Sequence, residues 1–175
     1  MYHYRMKTQV LIIGSGAAGC AAALTLADQG REVVLLCAGD RLTDGNSSLA
    51  QGGIVYTSPE DSPKLLERDI LTCGWKHNHL AAVRFLSRKG PEVVRQLLIE
   101  RLNVPFERAE DGGFHLTKEG GHSLPRILHC AGSTGRSIMQ HMVAAVEAHP
   151  NITVLTLRTA VDVLTSHHHA SLLEY

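Results

Sequence analysis

The sequence predicts an α/β fold with a parallel sheet. Three observations carry that expectation. A continuous apolar run, Gln9–Ile13, leads straight into Gly14-Ser15-Gly16-Ala17-Ala18-Gly19. An Ala- and Leu-rich stretch, Cys20–Gln29, follows without a breaker until Gly30. A second apolar run, Glu32–Leu36, comes next. Strand, helix and strand in this order make one βαβ unit, which implies parallel strands joined by a right-handed crossover. An uninterrupted apolar strand is the pattern of a strand buried on both faces, and Gln9–Ile13 is read that way.

Composition bounds the rest. The chain has 175 residues, a length that suits one domain and a real core. Hydrophobic residues make up 44% and charged residues 19%, which excludes a disordered chain. Seventeen basic residues balance seventeen acidic ones, so no global charge draws nucleic acid or an anionic membrane. Neither is expected as a partner. The N-terminal apolar run soon meets Gly14, Gly16 and Gly19, so no signal peptide is expected. No apolar window reaches the roughly 18 residues of a membrane span. The four cysteines, Cys20, Cys37, Cys73 and Cys130, form no Cys-x-x-Cys pair and read as free thiols in a reducing cytoplasm. Cys20 and Cys130 read as small core residues.

The later elements follow from periodicity and breakers. Gly39–Gly53 is a long loop of small and polar residues, and loops of that length are often functional. Lys64–Gly74 reads as a helix after Pro63. Asn78–Arg101 carries a helical pattern that Gly90-Pro91 is expected to split into two helices. Residues 103–130 read as irregular or weakly β. Gly135–His149 reads as a helix capped by Ser133 or Thr134 and stopped by Pro150. Ile152–Leu157 and Ala160–Leu164 read as strands.

The glycine loop gives the first functional reading. Gly-x-Gly-x-x-Gly after a strand and at the mouth of a helix is the dinucleotide-binding arrangement of a Rossmann-like fold. Gly14 permits the tight turn, Gly16 lets the backbone approach a pyrophosphate, and Gly19 lets helix and sheet pack closely. Helix dipole and exposed N–H groups favour the anion. The acidic residue expected at the end of the second strand is missing, because positions 37 and 38 are Cys and Ala. Asp40 is nearby, and the sequence does not settle whether it substitutes. The stretch Asn46-Ser47-Ser48-Leu49-Ala50-Gln51-Gly52-Gly53 suits a backbone lying against a flat ligand, with hydroxyl and amide groups to hydrogen-bond it.

Together these motifs resemble the succinate dehydrogenase/fumarate reductase flavoprotein family. Within it, His115-Leu116-Thr117-Lys118-Glu119-Gly120-Gly121-His122-Ser123, followed by Arg126-Ile127-Leu128-His129, is similar to the aspartate oxidase branch. The resemblance spans about residues 7 to 165. It implies FAD as cofactor, held without a covalent bond, because Asn46 stands where respiratory members carry the flavin-linked histidine. It implies oxidation of L-aspartate to iminoaspartate, with fumarate or oxygen as acceptor, in the route to quinolinate and NAD. Quinolinate synthase is the implied protein partner. By motif match Gly14, Ser15, Gly16, Ala17, Ala18 and Gly19 hold the FAD pyrophosphate. Asn46, Ser47, Ser48, Leu49, Ala50, Gln51, Gly52 and Gly53 line the cofactor, and Cys37, Ala38 and Val161 complete its contacts. A lysine is frequent in the family at the position of Ala38, so this sequence departs there.

Glu119 matches the acidic residue that faces the substrate ammonium and is the catalytic candidate. A carboxylate there pairs with an amino group that succinate lacks. His115, His122 and His129 recur every seven residues but straddle turns, and read as ordinary loop and buried histidines. His167-His168-His169 reads as a polar loop. No metal site is expected. Arg126 and Arg136 read as phosphate-binding or structural, and the sequence does not separate the two. Ser133 lacks a nucleophile-elbow pattern. Residues 1–175 are expected to be the N-terminal part of an FAD-binding domain with an incomplete sheet. The family's capping and C-terminal helical domains are expected to lie outside these residues. The alternatives are a piece of a succinate or fumarate oxidoreductase and a non-enzymatic dinucleotide-binding module.

Overall fold

The computed structural model describes residues 5–165. The triple histidine and the 171–175 segment lie outside the described residues. The first unit forms as the sequence reads: β1 (Val10–Ile13), α1 (Ala17–Asp28) and β2 (Val33–Leu36). The chain continues through β3 (Ile54–Val55), α2 (Pro63–Cys73), α3 (Leu80–Val93), β4 (Ile127–Leu128), α4 (Thr134–Ala148) and β5 (Ile152–Leu155). β1, β2 and β5 make a parallel sheet in that order, with β2 central. β3 and β4 pair antiparallel as a separate ribbon, Ile54 opposite Leu128 and Val55 opposite Ile127.

One sheet face is packed. Val10, Ile12, Val33, Leu35, Ile152 and Val154 share it by register. Leu35 is fully buried with Cys20 and Leu24 of α1 and Met139, Met142 and Val146 of α4. Each fully buried large apolar side chain of this kind contributes roughly 1.5–3 kcal/mol. Ala23 and Ala27 let α1 sit close against Val33.

The other face corrects an expectation. β1 is not buried on both sides: Leu11 and Ile13 are 53% and 54% exposed. Among the described residues β1 pairs only with β2, and the core clusters take up only its Val10 and Ile12 side.

The helices show how local chemistry sets boundaries. Ser62 caps α2 by accepting from the Leu65 N–H at 3.3 Å, and Pro63 takes the first position, where its missing N–H costs nothing. His79 caps α3 through Nδ1, which accepts from the Ala82 N–H. The expected break at Gly90-Pro91 does not occur. Pro91 lies inside α3, and the helix runs on as a π-helical segment, Val94–Arg101. Proline removes one ladder bond and crowds the preceding turn. Here tertiary packing wins, because Val94, Leu98 and Leu102 all insert into the main core. The Leu102 N–H donates to the Leu97 carbonyl, five residues back.

Two further readings are corrected. Ser133 precedes α4 but makes no side-chain capping bond, and the Gly135 N–H instead donates to the Ala50 carbonyl at 2.8 Å. Thr134 does not cap either; its Oγ1 accepts from the Cys130 N–H. Residues 160–164 are not a strand, since no described segment lies alongside to complete a ladder. The 103–130 region is irregular as expected, with isolated bridges joining Arg108 to Phe114 and Thr117 to Ile127.

Candidate functional site

The site grows from the carboxyl ends of β1 and β2. The Gly14 N–H donates to the Leu36 carbonyl at 2.9 Å, which pins the glycine loop to the second strand. Gly14 has φ +104°, a conformation open to glycine and costly for other residues. At Gly19 a Cβ would collide with the Gly14 carbonyl oxygen, so only glycine lets α1 start this close to the turn. α1 has no acidic residue in its first turn, so the positive end of its dipole is uncompensated by charge.

A second loop meets this helix end. Residues 46–49 form a short 3-10 turn, and the Ser47 hydroxyl accepts from the Ala17 N–H at 3.1 Å. A Cβ on Gly16 would stand 3.2 Å from the same Ser47 Oγ. The Ser48 hydroxyl donates to the Thr43 carbonyl at 2.7 Å and braces the turn from behind. α4 closes the back: any side chain at Gly135 would strike the Ser47 and Ala50 carbonyls. Two loops thirty residues apart in sequence are therefore joined at one helix N-terminus. Gly14, Ala18, Asn46, Leu49, Ala50, Gln51 and Gly52 are exposed around this junction, and Gly53 turns the chain into β3.

Some expected cofactor residues point elsewhere. Ser15 is buried; its hydroxyl donates to the Leu42 carbonyl at 3.0 Å and lies 3.2 Å from Cys37 Sγ. The Cys37 thiol also faces inward, toward the Arg41 carbonyl. Its side chain is thus turned into the fold, while Ala38 beside it is exposed. Asp40 is exposed. Val161 is 95% exposed, on a segment hooked to this strand end by Leu157 N–H to Gly39 and Arg158 N–H to Cys37 carbonyl bonds. Cys20 behind the loop is buried, which pushes its thiol up to about 11, with Cys37 adding to the shift.

Glu119 sits on an exposed turn closed by the His122 N–H donating to the Glu119 carbonyl. What holds that turn was missed in the sequence. Arg126 is fully buried, and its guanidinium reaches two carboxylates. Nε and NH2 donate to Asp61 at 2.7 and 2.9 Å, and NH1 donates to Asp69 at 2.6 Å. Asp69 also accepts from the Ser123 N–H and hydroxyl, both at 2.8 Å. His122 Nδ1 lies 3.0 Å from Arg126 NH1. Arg126 is therefore structural. Burial pulls its pKa down, but the two paired carboxylates more than offset this. Burial raises the Asp69 pKa, while bonds from Arg126 and Ser123 outweigh it and hold the carboxyl at about 2. Arg136, the other open assignment, is exposed on the first turn of α4. A carboxylate two turns into α2 and an arginine far down the chain show no shared spacing, so only the three-dimensional fold reveals their pairing.

The histidines separate. His122 joins Arg126, whereas His115 and His129 meet, with Nδ1 of His115 3.2 Å from Nε2 of His129.

A strand, glycine loop and helix that open at the carboxyl end of a parallel sheet define a dinucleotide-binding α/β protein. The FAD binding domain family matches residues 9–171, and the chain belongs to that family. It is 37% identical over 158 residues to the L-aspartate oxidase of Halobacterium salinarum, covering 90% of this chain and 30% of that protein. It is 41% identical over 165 residues to the L-aspartate oxidase of Vibrio cholerae, covering 91% of this chain and 30% of that one. The chain thus spans 30% of the length of each of these curated relatives. A quinol-fumarate reductase solved with menaquinol molecules superposes with TM-score 0.81 at 20% identity, over 92% of this chain and 28% of that chain. The open conformation of a flavocytochrome c3 fumarate reductase gives 0.80 at 23%, over 93% and 28%. These two likenesses carry the fold alone. The family's cofactor is FAD, and the residues present fit it: Gly16 keeps a cradle open beside Ser47, at a helix whose first turn holds no acidic residue. No helix of the described residues is long and apolar enough to cross a membrane.

Proposed function

We propose that this chain is the FAD-cradling part of an L-aspartate-oxidising flavoprotein of the cytoplasm, with the dinucleotide held non-covalently. The observation that carries the reading is the junction at α1, where the Ser47 hydroxyl meets the Ala17 N–H beside Gly16. Gly14 to Gly19 offer a pyrophosphate the helix end and the backbone N–H groups that Leu36 and Ser47 do not take. Asn46 to Gly53 lie along the rest of the cofactor, with Gln51, Gly52 and Gly53 toward its ring. When bound, the flavin supplies the redox chemistry, taking a hydride equivalent from substrate.

This chain's own residues bind and orient. Glu119, exposed on its turn, pairs with the substrate ammonium and so selects L-aspartate over succinate. Fumarate or oxygen is the acceptor and quinolinate synthase the partner in this reading. The aspartate oxidase relatives support it over the succinate or fumarate alternative, as does Asn46 at the covalent position.

Titration of the purified chain with FAD tests the cofactor part. Expected is saturable quenching of flavin fluorescence, full release of flavin on acid precipitation, and loss of binding in Gly16→Val. Unchanged binding in Gly16→Val, or flavin that stays with the precipitate, overturns it. The chain holds only part of the site, so no aspartate-dependent fumarate reduction is expected with FAD added; sustained turnover would refute that limit.

A further inference from the structure

The geometry points to a second site, independent of the flavin reading: Glu107, His115 and His129 form a binding site for a divalent transition-metal ion. The three residues lie on neighbouring extended segments laced together by the backbone. The Glu107 N–H donates to the His129 carbonyl, and the His115 N–H donates to the Glu107 carbonyl, both at 3.0 Å. Their side chains converge. The imidazoles meet edge to face with centroids 5.1 Å apart, and Nδ1 of His115 lies 3.2 Å from Nε2 of His129. Glu107 spans both rings, with Oε1 3.2 Å from Nδ1 of His129 and Oε2 3.7 Å from Nδ1 of His115.

These spacings are close to those of ligands on one ion. Two donors about 2.1 Å from a metal stand roughly 3.0–3.4 Å apart at octahedral or tetrahedral angles. The nitrogen pair already has that spacing, and one donor atom from each of the three residues lies within 4.8 Å of the others, so the Glu107 carboxylate has only to swing inward to share an ion. Glu107 Oε1 also lies 3.2 Å from Nδ1 of His129, while Nε2 of the same ring faces His115. The ion would replace the proton that the two facing nitrogens otherwise share. Two imidazoles and one carboxylate suit zinc, iron(II), cobalt or nickel and disfavour calcium or magnesium. The His115 side chain is 53% exposed, so the ion enters from solvent and retains water on its open positions. Regular spacing alone misleads here, since His122 of the same seven-residue series is engaged with Arg126.

The test must silence the other histidine tract. In the whole chain carrying His167→Gln, His168→Gln and His169→Gln, zinc chloride is titrated by calorimetry and cobalt chloride by visible absorption. Expected are one ion per chain, a cobalt ligand-field band, and a thermal midpoint raised by zinc. His115→Gln and His129→Gln should each weaken zinc binding at least about tenfold and abolish the thermal shift. His115→Gln alters an exposed side chain, so its far-ultraviolet circular dichroism should match the parent. Absence of stoichiometric binding in the parent, or binding and thermal shift unchanged in both variants, overturns the proposal.

Discussion

Residues 14–19 and 46–50 meet through backbone groups and a single hydroxyl, whereas residues 61, 69, 122, 123 and 126 meet through buried charge. The first junction is half-buried and ringed by exposed residues. The second is sealed, with a guanidinium fully withdrawn from water. The first loop is built of small residues at a helix N-terminus with no acidic residue in its first turn. The turn that carries the exposed Glu119 is tied down from behind through Ser123, Asp69 and the buried Arg126. The two loops accordingly differ in how much of the fold depends on them.

The largest effect should come from Arg126→Met. It leaves Asp61 and Asp69 buried without their cation, and breaking such a cluster costs about 3–5 kcal/mol. Urea denaturation followed by circular dichroism should show the midpoint fall accordingly; a loss under about 1 kcal/mol would put the two junctions on the same footing.

Next is the acid response of the same node. Asp69 is held at about 2 against an ordinary 3.8. A lowered folded-state pKa gives stability that is complete above the unfolded value and lost as pH falls through the folded one. Between pH 4 and pH 2 the chain should therefore lose about 2 kcal/mol through this group. Asp69→Asn should flatten that part of the stability profile, and an identical slope in both proteins would remove Asp69 from the account.

The smallest effect belongs to the open junction. Ser47→Ala deletes one partly buried hydrogen bond to the Ala17 N–H and should cost about 0.5–1.5 kcal/mol. A loss as large as that of Arg126→Met, measured by the same denaturation, would erase the contrast.

The same contrast governs what could be read in advance. The glycine loop was legible because geometry dictates residue identity there: Gly14 by its φ and Gly19 by its approach to a carbonyl. The βαβ unit and the parallel sheet followed from it. The Arg126 cluster was not legible, because its partners lie 57 and 65 residues away and follow no period. Cys37 was assigned to the cofactor by position, but its neighbour Ser15 and the Arg41 carbonyl draw the thiol inward. Pro91 was a misleading stop signal, since local propensity yields when Val94, Leu98 and Leu102 have a core to fill. Residues 160–164 have strand-forming side chains, yet a strand also needs a neighbour.

The strand order has a consequence for synthesis on the ribosome. β2 lies at the centre of the sheet, but its second partner, β5, is made more than a hundred residues later. At roughly 5–20 residues per second, β2 waits on the order of 5–25 seconds with one flank unpaired. α1 and β1 are already available to it, so the first βαβ unit can condense early. The nascent chain must then carry an open strand flank through the synthesis of α2, α3 and the whole Arg126 node.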